Sequence, residues 1–399
     1  MQFLGYERPD GSVGIRNHVV ILPSVCCANE IVARIAGQVP GIKPIFHNHS
    51  CSRLKSDNEM AHRALIGLGA NPNAAAVLVV GVGCDTVPAS VIADAIARVR
   101  KPVEYVDIEK DGSYEAVVEK GVDIARALLA KTASQARKSC AVSNLTLGMK
   151  CTSSDTTSVL ACNPVVGRGT DFIINHGGTA IFTETTELIG AAHILSRRAA
   201  NAIVAKDLCR KVDEMRQRIK KAKVDVLHSQ PNPGNIKGGI STLEEKSLGG
   251  IGKTGHTSIQ GVLEWGERPR RNGLFFMDGA ANTHLVIVGL ATAGAQLMSL
   301  SFGGGVCARL RTSTINTAGG GMPVLPIIKT LSNPHSLVEA PYFDVYAGGI
   351  IEGHETVARV GKRFIDEIIA VASGKITKLE SIISPFNEVW EFYTTGPWV

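Results

Sequence analysis

Short apolar runs and helical patterns take turns from residue 18 to residue 130, and this alternation constrains the fold more than any other feature of the chain. His18–Pro23, Lys43–His47, Ala76–Val82 and Pro102–Ile108 read as strands. Between and after them Asn29–Ala36, Ser56–Leu68, Ala89–Val99 and Ser113–Ala130 carry helical spacing. Strands that alternate with helices in this way pair in parallel, because each helix must carry the chain back across the sheet. The first region is therefore expected to be a parallel sheet covered on both faces.

Ala133–Cys140, with its Ser, Gln, Lys and Arg, reads as a polar connection, and a new start follows at Leu145. Beyond it, Gly177-Gly178, Gly238-Gly239, Gly249-Gly250, Gly303–Gly305 and Gly319–Gly321 punctuate the apolar runs. A long amphipathic helix is expected over 187–221, and buried strands at Ala180–Phe182, Leu285–Gly289 and Gln296–Leu300. With 399 residues, 44% of them hydrophobic, the chain is long enough for two cores. The expectation is an α/β protein of two domains, 1–138 and 145–399. Each has a largely parallel sheet flanked by helices, Rossmann-like, with glycine-rich active-site loops. No internal repeat or low-complexity tract is present.

The net charge of +6 is too diffuse for nucleic acid. Arg197-Arg198, Lys206, Arg210, Lys211 and the basic residues of 216–223 fall at helical spacing with Asp213 and Glu214 among them, the pattern of a solvated face. No window approaches the roughly 18 apolar residues of a spanning helix, and the N-terminus lacks a charged start before an apolar core. A cytosolic protein is expected. Nine cysteines without a short disulfide spacing then point to reduced thiols available to a metal.

Cys51, Cys84 and Cys151 each follow an apolar run, and in an open parallel sheet ligands gather beyond the carboxyl ends of strands. Three thiolates with one open position suit an iron–sulfur cluster, or a single iron with His49 added. The competing reading makes each cysteine a small buried hydrophobe. Cys26 and Cys27 also follow a strand and compete for the triplet; Cys140, Cys162, Cys209 and Cys307 have no comparable claim.

Gly238-Gly239 precedes Ser241, Thr242, Glu244, Glu245 and Lys246, a mixture that elimination needs: a base, an acid and a cation for the enolate. The same residues also read as a helix cap, Ser241 or Thr242 at the N-cap and Glu244 or Glu245 in the first turn. Asp155, Asn163, His176, Glu184 and Glu187 surround a glycine-rich turn, as ligands of a polyol or metal or as turn and cap residues. Arg309 and Arg311, after Gly303–Gly305, offer guanidinium groups for a carboxylate or sulfonate. That glycine run fits neither a P-loop nor the dinucleotide fingerprint, which argues against a nucleotide-dependent oxidoreductase.

Taken together, the motifs resemble the altronate and galactarate dehydratase family over nearly the whole chain. The resemblance runs through Gly5-Tyr6, Arg8, Asp10-Gly11, Gly14 and Arg16-Asn17, then Gly83-Cys84-Asp85, Lys150-Cys151, Ser154-Asp155, Asn163-Pro164 and Gly167. It continues in Gly177–Thr179, Glu184, Glu187, Gly234-Asn235, Gly238-Gly239, Thr242, Glu244–Leu248, Lys253 and Gly255. It implies a bacterial, iron-dependent lyase that dehydrates sugar acids to 2-keto-3-deoxy acids. It also strengthens Cys51, Cys84, Cys151 and His49 as iron ligands, leaving one ion or a cluster open.

Two departures bear on the substrate. The sugar-acid enzymes carry a small N-terminal domain, whereas Gly5-Tyr6 opens this chain. A separate small subunit is expected instead, an arrangement similar to the (2R)-sulfolactate sulfo-lyases of the same family, with their small alpha and large beta chains. Thr152-Ser153 stands where those enzymes have a glycine pair, and the 301–311 loop and the His49–Ser52 stretch also differ. These changes favour a shorter, more highly charged hydroxy acid. The expected reaction is metal-assisted β-elimination with Glu244, Glu245 or Lys246 as base. Lys150, Arg309 and Arg311 would hold the anionic end, Asp155 would assist catalysis, and Asn163, Thr242 and Asn235 would contact substrate. A non-catalytic homologue that binds a sugar acid or a partner chain is the competing class.

Overall fold

The structure is a computed structural model that describes residues 1–223, 230–304, 322–382 and 388–394. Near the N-terminus β3 (His18–Pro23), β4 (Lys43–Pro44), β6 (Ala74–Gly81) and β7 (Val103–Asp107) pair in parallel in the order β4-β3-β6-β7. All eight residues of β6 are buried, as a strand covered on both faces requires. Because side chains alternate across a strand, Val77 and Val79 enter one core while Leu78 and Val80 enter another. Helices Asn29–Gln38 and Tyr114–Ala133 cover the second of these faces through Ile31, Ile35, Val117 and Ala125. Helices Lys55–Ala70 and Ala89–Ala97 cover the other through Leu65, Leu68, Ile92 and Ile96.

The larger sheet has seven strands, all paired in parallel: β9 (Thr146–Thr152), β10 (Thr179–Phe182), β11 (Ile259–Leu263), β12 (Gly273–Met277), β13 (Leu297–Phe302), β14 (Ile327–Leu331) and β15 (Val345–Tyr346). Their order is β11-β12-β10-β9-β13-β14-β15. One face packs on helices Asn163–Asn175 and Val357–Ala372 through Leu147, Met149, Phe182, Val166 and Phe364. The opposite face, with Ile181, Met277 and Leu300, joins the core already containing Leu65 and Ile92 of the small sheet's cover. A single apolar core thus lies between the two sheets. Helix Lys55–Ala70 approaches helix Thr283–Thr292 so closely at Gly67 that a Cβ there would stand 2.6 Å from the Thr292 carbonyl oxygen. Buried amides close the seam: Asn71 donates to the Ala291 and Ala295 carbonyls at 2.8 and 2.9 Å, and Asn73 to those of Gln296 and Val324 at 2.7 and 3.0 Å.

Three segments differ from expectation. Leu285–Gly289 lies in a helix, because Asn282 caps it by accepting from the His284 and Leu285 amides, and a helix buried on all sides shows no polar stripe. The expected long helix over 187–221 is three pieces, Thr185–Leu188, Ala192–Arg197 and Ala202–Ala222, the last capped by Asn201. Within the polar stretch at 133–140, Lys138–Ala141 forms β8, which pairs antiparallel with β1 (Gln2–Glu7); β1 also pairs with β2 (Val13–Gly14). No helix among the described residues is long and apolar enough to cross a membrane.

His47 lies on β5 (Phe46–His47), which pairs with β16 (Val389–Trp390). Its Nε2 donates to the Pro23 carbonyl at 2.8 Å, its Nδ1 accepts from the His49 amide, and its ring stacks on Phe392. Burial pulls its pKa from 6.5 to about 4. The unfolded chain therefore binds a proton that the folded one refuses between these values, so this contribution to stability is present above pH 6.5 and is lost as pH falls towards 4. Urea unfolding of wild type is expected to weaken over that interval, and His47→Gln to flatten the slope.

Candidate functional site

The carboxyl end of β9 delivers Lys150 and Cys151 into the protein. Ser153, just beyond, takes a left-handed backbone with φ 46°, and the chain turns back into the interior. Asp155 then caps a π-helical turn, Ser158–Cys162, its Oδ1 accepting from the Ser158 amide at 2.9 Å and from Thr157 Oγ1 at 2.7 Å. Beside it, β10 ends two residues before Glu184, which also sits in the left-handed region, φ 80° and ψ 61°. A non-glycine residue held there costs roughly 1–3 kcal/mol and marks a position that its surroundings over-determine. Glu187 follows in the tight turn. Lys246 arrives from helix Leu243–Gly250 and Lys253 from the turn Ile251–Thr254.

All six of these side chains, Lys150, Cys151, Glu184, Glu187, Lys246 and Lys253, are buried and meet. Lys150 Nζ bonds Glu184 Oε1, and Lys253 Nζ stands 3.2 Å from Glu184 Oε2. Lys246 Nζ lies 3.0 Å from Glu187 Oε1, while Lys253 Nζ lies 3.9 Å from its Oε2. The Cys151 thiol lies 3.5 Å from Glu187 Oε2 and 3.4 Å from Lys253 Nζ, and accepts from Ser154 Oγ at 3.6 Å. Asn235 joins the edge, receiving Lys246 Nζ at 3.1 Å and donating to the Ser154 carbonyl at 2.9 Å. Three ammonium groups against two carboxylates leave one positive charge in excess.

Electrostatics in so dry a place are set by partners. Burial alone would raise the Glu187 carboxyl, yet Lys246, Lys253 and Lys150 hold it down to about 2. Burial would likewise lower Lys253, but Cys151, Glu184 and Glu187 push it up; Lys150 is raised against burial by Glu184 and Glu187. The Cys151 thiol is pushed up by burial and by Glu187. Beside the group, a cleft of about 420 Å³ is lined by Asp155, Thr157, Lys237, Asn333, His335 and Ser336.

Cys151, Glu184 and Glu187 present one sulfur and two carboxylate oxygens within 4.8 Å of one another, the one such group among the described residues. A thiolate with two carboxylates is a donor set that fits a divalent transition metal. Cys51, Cys84 and His49 do not join it: His49 and Cys51 follow β5 and Cys84 follows β6, with Cys51 and Cys84 exposed. The expected convergence of three cysteines is replaced by one cysteine and two carboxylates, because Cys151 belongs to the other sheet.

Of the remaining candidates, Lys150, Lys246 and Asn235 meet in the buried group, and Asp155 lies at its border. Asn163 donates to the Gly249 carbonyl at 2.9 Å. Thr242 caps its helix by accepting from the Glu245 amide at 3.1 Å, and Glu245 accepts from the Ser241 amide and hydroxyl at 2.8 and 3.0 Å. Glu244 is exposed. Capping thus occupies Thr242 and Glu245, while the buried group takes Lys246. Exposed His176 bonds the Phe172 carbonyl at the end of its own helix. Arg309, Arg311 and Cys307 lie outside the described residues. Lys253 enters the sequence reading only as part of a motif; its place between Gly252 and Gly255 is the available signal of its burial.

Comparison with known proteins places this geometry. The family models described as D-galactarate/altronate dehydratase, C-terminal, and D-galactarate dehydratase/altronate hydrolase, second domain, match residues 142–395 and 5–133. The chain belongs to the D-galactarate/altronate dehydratase family. It is an enzyme of the lyase class. The (2R)-sulfolactate sulfo-lyase subunit beta of Chromohalobacter salexigens is 33% identical over 384 residues, 95% of each chain. Altronate dehydratase of Bacillus subtilis is 31% identical, over 95% of this chain and 75% of its own. Galactarate dehydratase (L-threo-forming) of Escherichia coli is also 31% identical, over 94% and 73%.

Removing one partner of a buried ion pair strands the others without compensation. Lys253→Met in this dehydratase-family chain is therefore expected to cost about 3–5 kcal/mol in urea unfolding at pH 7, whereas Lys237→Met on the exposed side of the cleft should leave the midpoint near wild type.

Proposed function

We propose that this chain catalyses β-elimination from a small anionic hydroxy acid, with (2R)-sulfolactate as the substrate. In that reaction the C2 proton is removed, the C3–S bond breaks and sulfite departs with the bonding pair. The remaining enol of pyruvate tautomerises to the keto acid. The observation that carries the reading is the buried group with its excess positive charge, which complements a doubly negative substrate in a dry site where such attraction is strong.

Cys151, Glu184 and Glu187 would hold the metal, iron in this proposal, and it would supply Lewis acidity towards the substrate hydroxyl. Lys150 and Lys253, held charged by their carboxylate neighbours, steady the enolate. Among the three candidate bases Glu245 is taken up in capping and Glu244 faces solvent, so the role falls to Lys246, acting as a neutral amine once its ammonium proton has passed to solvent. Its Nζ lies against Glu187 Oε1 and the neutral amides of Gln230 and Asn235, and a proton held at Nζ can be shared with that carboxylate. Residues 1–138 and 145–399 are proposed as two domains, and a separate small subunit as the partner, following the relative that is itself a subunit beta. A sugar acid is the second reading. It is favoured by the hydroxyl and amide groups of Thr157, Asn333 and Ser336 in the adjoining cleft, suited to a polyol.

Sulfite release from (2R)-sulfolactate, assayed beside keto-deoxy acid formation from altronate and galactarate after anaerobic purification, tests the substrate. Sulfite is expected; keto-deoxy acid alone would replace this reading with the second. Lys246→Met is expected to lower kcat by about 100-fold or more, the scale of general acid–base catalysis, and Glu244→Gln to leave it within a few-fold. Loss of activity in Glu244→Gln would return the base to that residue.

A further inference from the structure

Glu184 keeps its left-handed backbone, φ 80° and ψ 61°, against a steric cost, and the residues that hold it there lie outside the buried charged group. β12 ends at Met277, and the turn that follows, 278–281, grips Glu184 from two sides. On the backbone side the Thr185 amide donates to the Gly279 carbonyl at 2.9 Å. The Gly279 amide returns a bond to Thr185 Oγ1 at 3.0 Å, and Thr185 Oγ1 donates to Asp278 Oδ1 at 2.6 Å. On the side-chain side the Ala281 carbonyl accepts from Lys150 Nζ at 3.2 Å, and Lys150 is the partner of Glu184 Oε1. Thr185 and Asp278 are both buried.

A carboxylate is tolerated in such a place only with a partner for its charge. Lys211, from helix Ala202–Ala222, lies 3.4 Å from Asp278 Oδ2. Charge balance for Lys211 does not require Asp278, because Glu264 stands 2.6 Å from the same ammonium. The shorter bond of Asp278 runs to the Thr185 hydroxyl instead. A hydroxyl has one proton, and giving it to a charged acceptor leaves the lone pairs free to take the Gly279 amide. Thr185 is thereby fixed in side chain and backbone at once, directly after Glu184. A non-glycine residue persists in the left-handed region only where its surroundings over-determine it, and these bonds supply that determination.

We infer that Thr185 and Asp278 are positioning residues for Glu184, clamping its left-handed backbone so that one carboxylate oxygen meets Lys150 and the other Lys253. Both act through Glu184 and neither is a ligand. The consequence for metal binding rests on the reading that Cys151, Glu184 and Glu187 hold the ion; the clamp itself does not.

Hydrogen exchange of the metal-free full chain, read on the segment 183–188, tests the clamp in wild type, Thr185→Val and Thr185→Ser. Valine keeps the shape of threonine without its hydroxyl, whereas serine keeps the hydroxyl without the methyl group. Thr185→Val is expected to raise exchange in this segment by at least about tenfold, with the small sheet's amides as in wild type, and Thr185→Ser to stay within a few-fold. Anaerobic Co²⁺ titration, followed by the thiolate-to-cobalt charge-transfer band, gives the second readout. Thr185→Val and Asp278→Ala, which leaves Glu264 to Lys211, are expected to weaken binding about tenfold or more, and Thr185→Ser to retain it. A wild type without the band, or a band that persists in Cys151→Ser, would overturn the metal reading alone, because the exchange comparison needs no metal. Wild-type exchange at 183–188 in Thr185→Val, or Thr185→Ser impaired as far as Thr185→Val, would overturn the clamp.

Discussion

Five charged side chains and a thiol are buried together at the ends of β9 and β10, and their mutual attraction is the constraint around which the larger sheet is arranged. Ions taken out of water are tolerated only where partners replace the lost hydration. Here every carboxylate oxygen meets an ammonium group. That requirement accounts for features that would otherwise look costly: the left-handed backbone at Glu184, and two lysines sent inward from a short helix and the turn after it. Each brings a charge to within reach of the others from a different part of the chain.

The small sheet packs directly against the larger one. Its helix Lys55–Ala70 and the larger sheet's helix Thr283–Thr292 are pressed together at Gly67 and Thr292, and one apolar core runs across both. The Lys150 ammonium also donates to the Ala281 carbonyl, just ahead of the second of these helices. The seam between the sheets and the charged group therefore share a boundary.

The parallel sheet of the first region was legible almost residue by residue, because β3 and β6 are apolar runs separated by strongly periodic helices. Leu285–Gly289 was not, since an apolar run buried on every side has the same pattern as strand or helix. The cap at Thr242 and Glu245 was legible from local chemistry alone. The meeting of Lys150, Cys151, Glu184, Glu187, Lys246 and Lys253 was not. It depends on strand order, in which β10 and β9 are neighbours although 26 residues separate the end of one from the start of the other. Resemblance supplied the motifs, but no spacing rule links a cysteine on one strand to carboxylates beyond the next. The same limit made Cys51 and Cys84 look like companions of Cys151, when they belong to a different sheet edge.

The pairing of β1 with β8 has a consequence for the order of events on the ribosome. Residues 2–7 are made long before their partner at 138–141, which follows only after the entire small sheet and its helices. The first strand can pair at once only with β2, and its other edge must wait for β8 while more than a hundred residues are synthesised and fold behind it. Closure of that strand records the completion of everything in between.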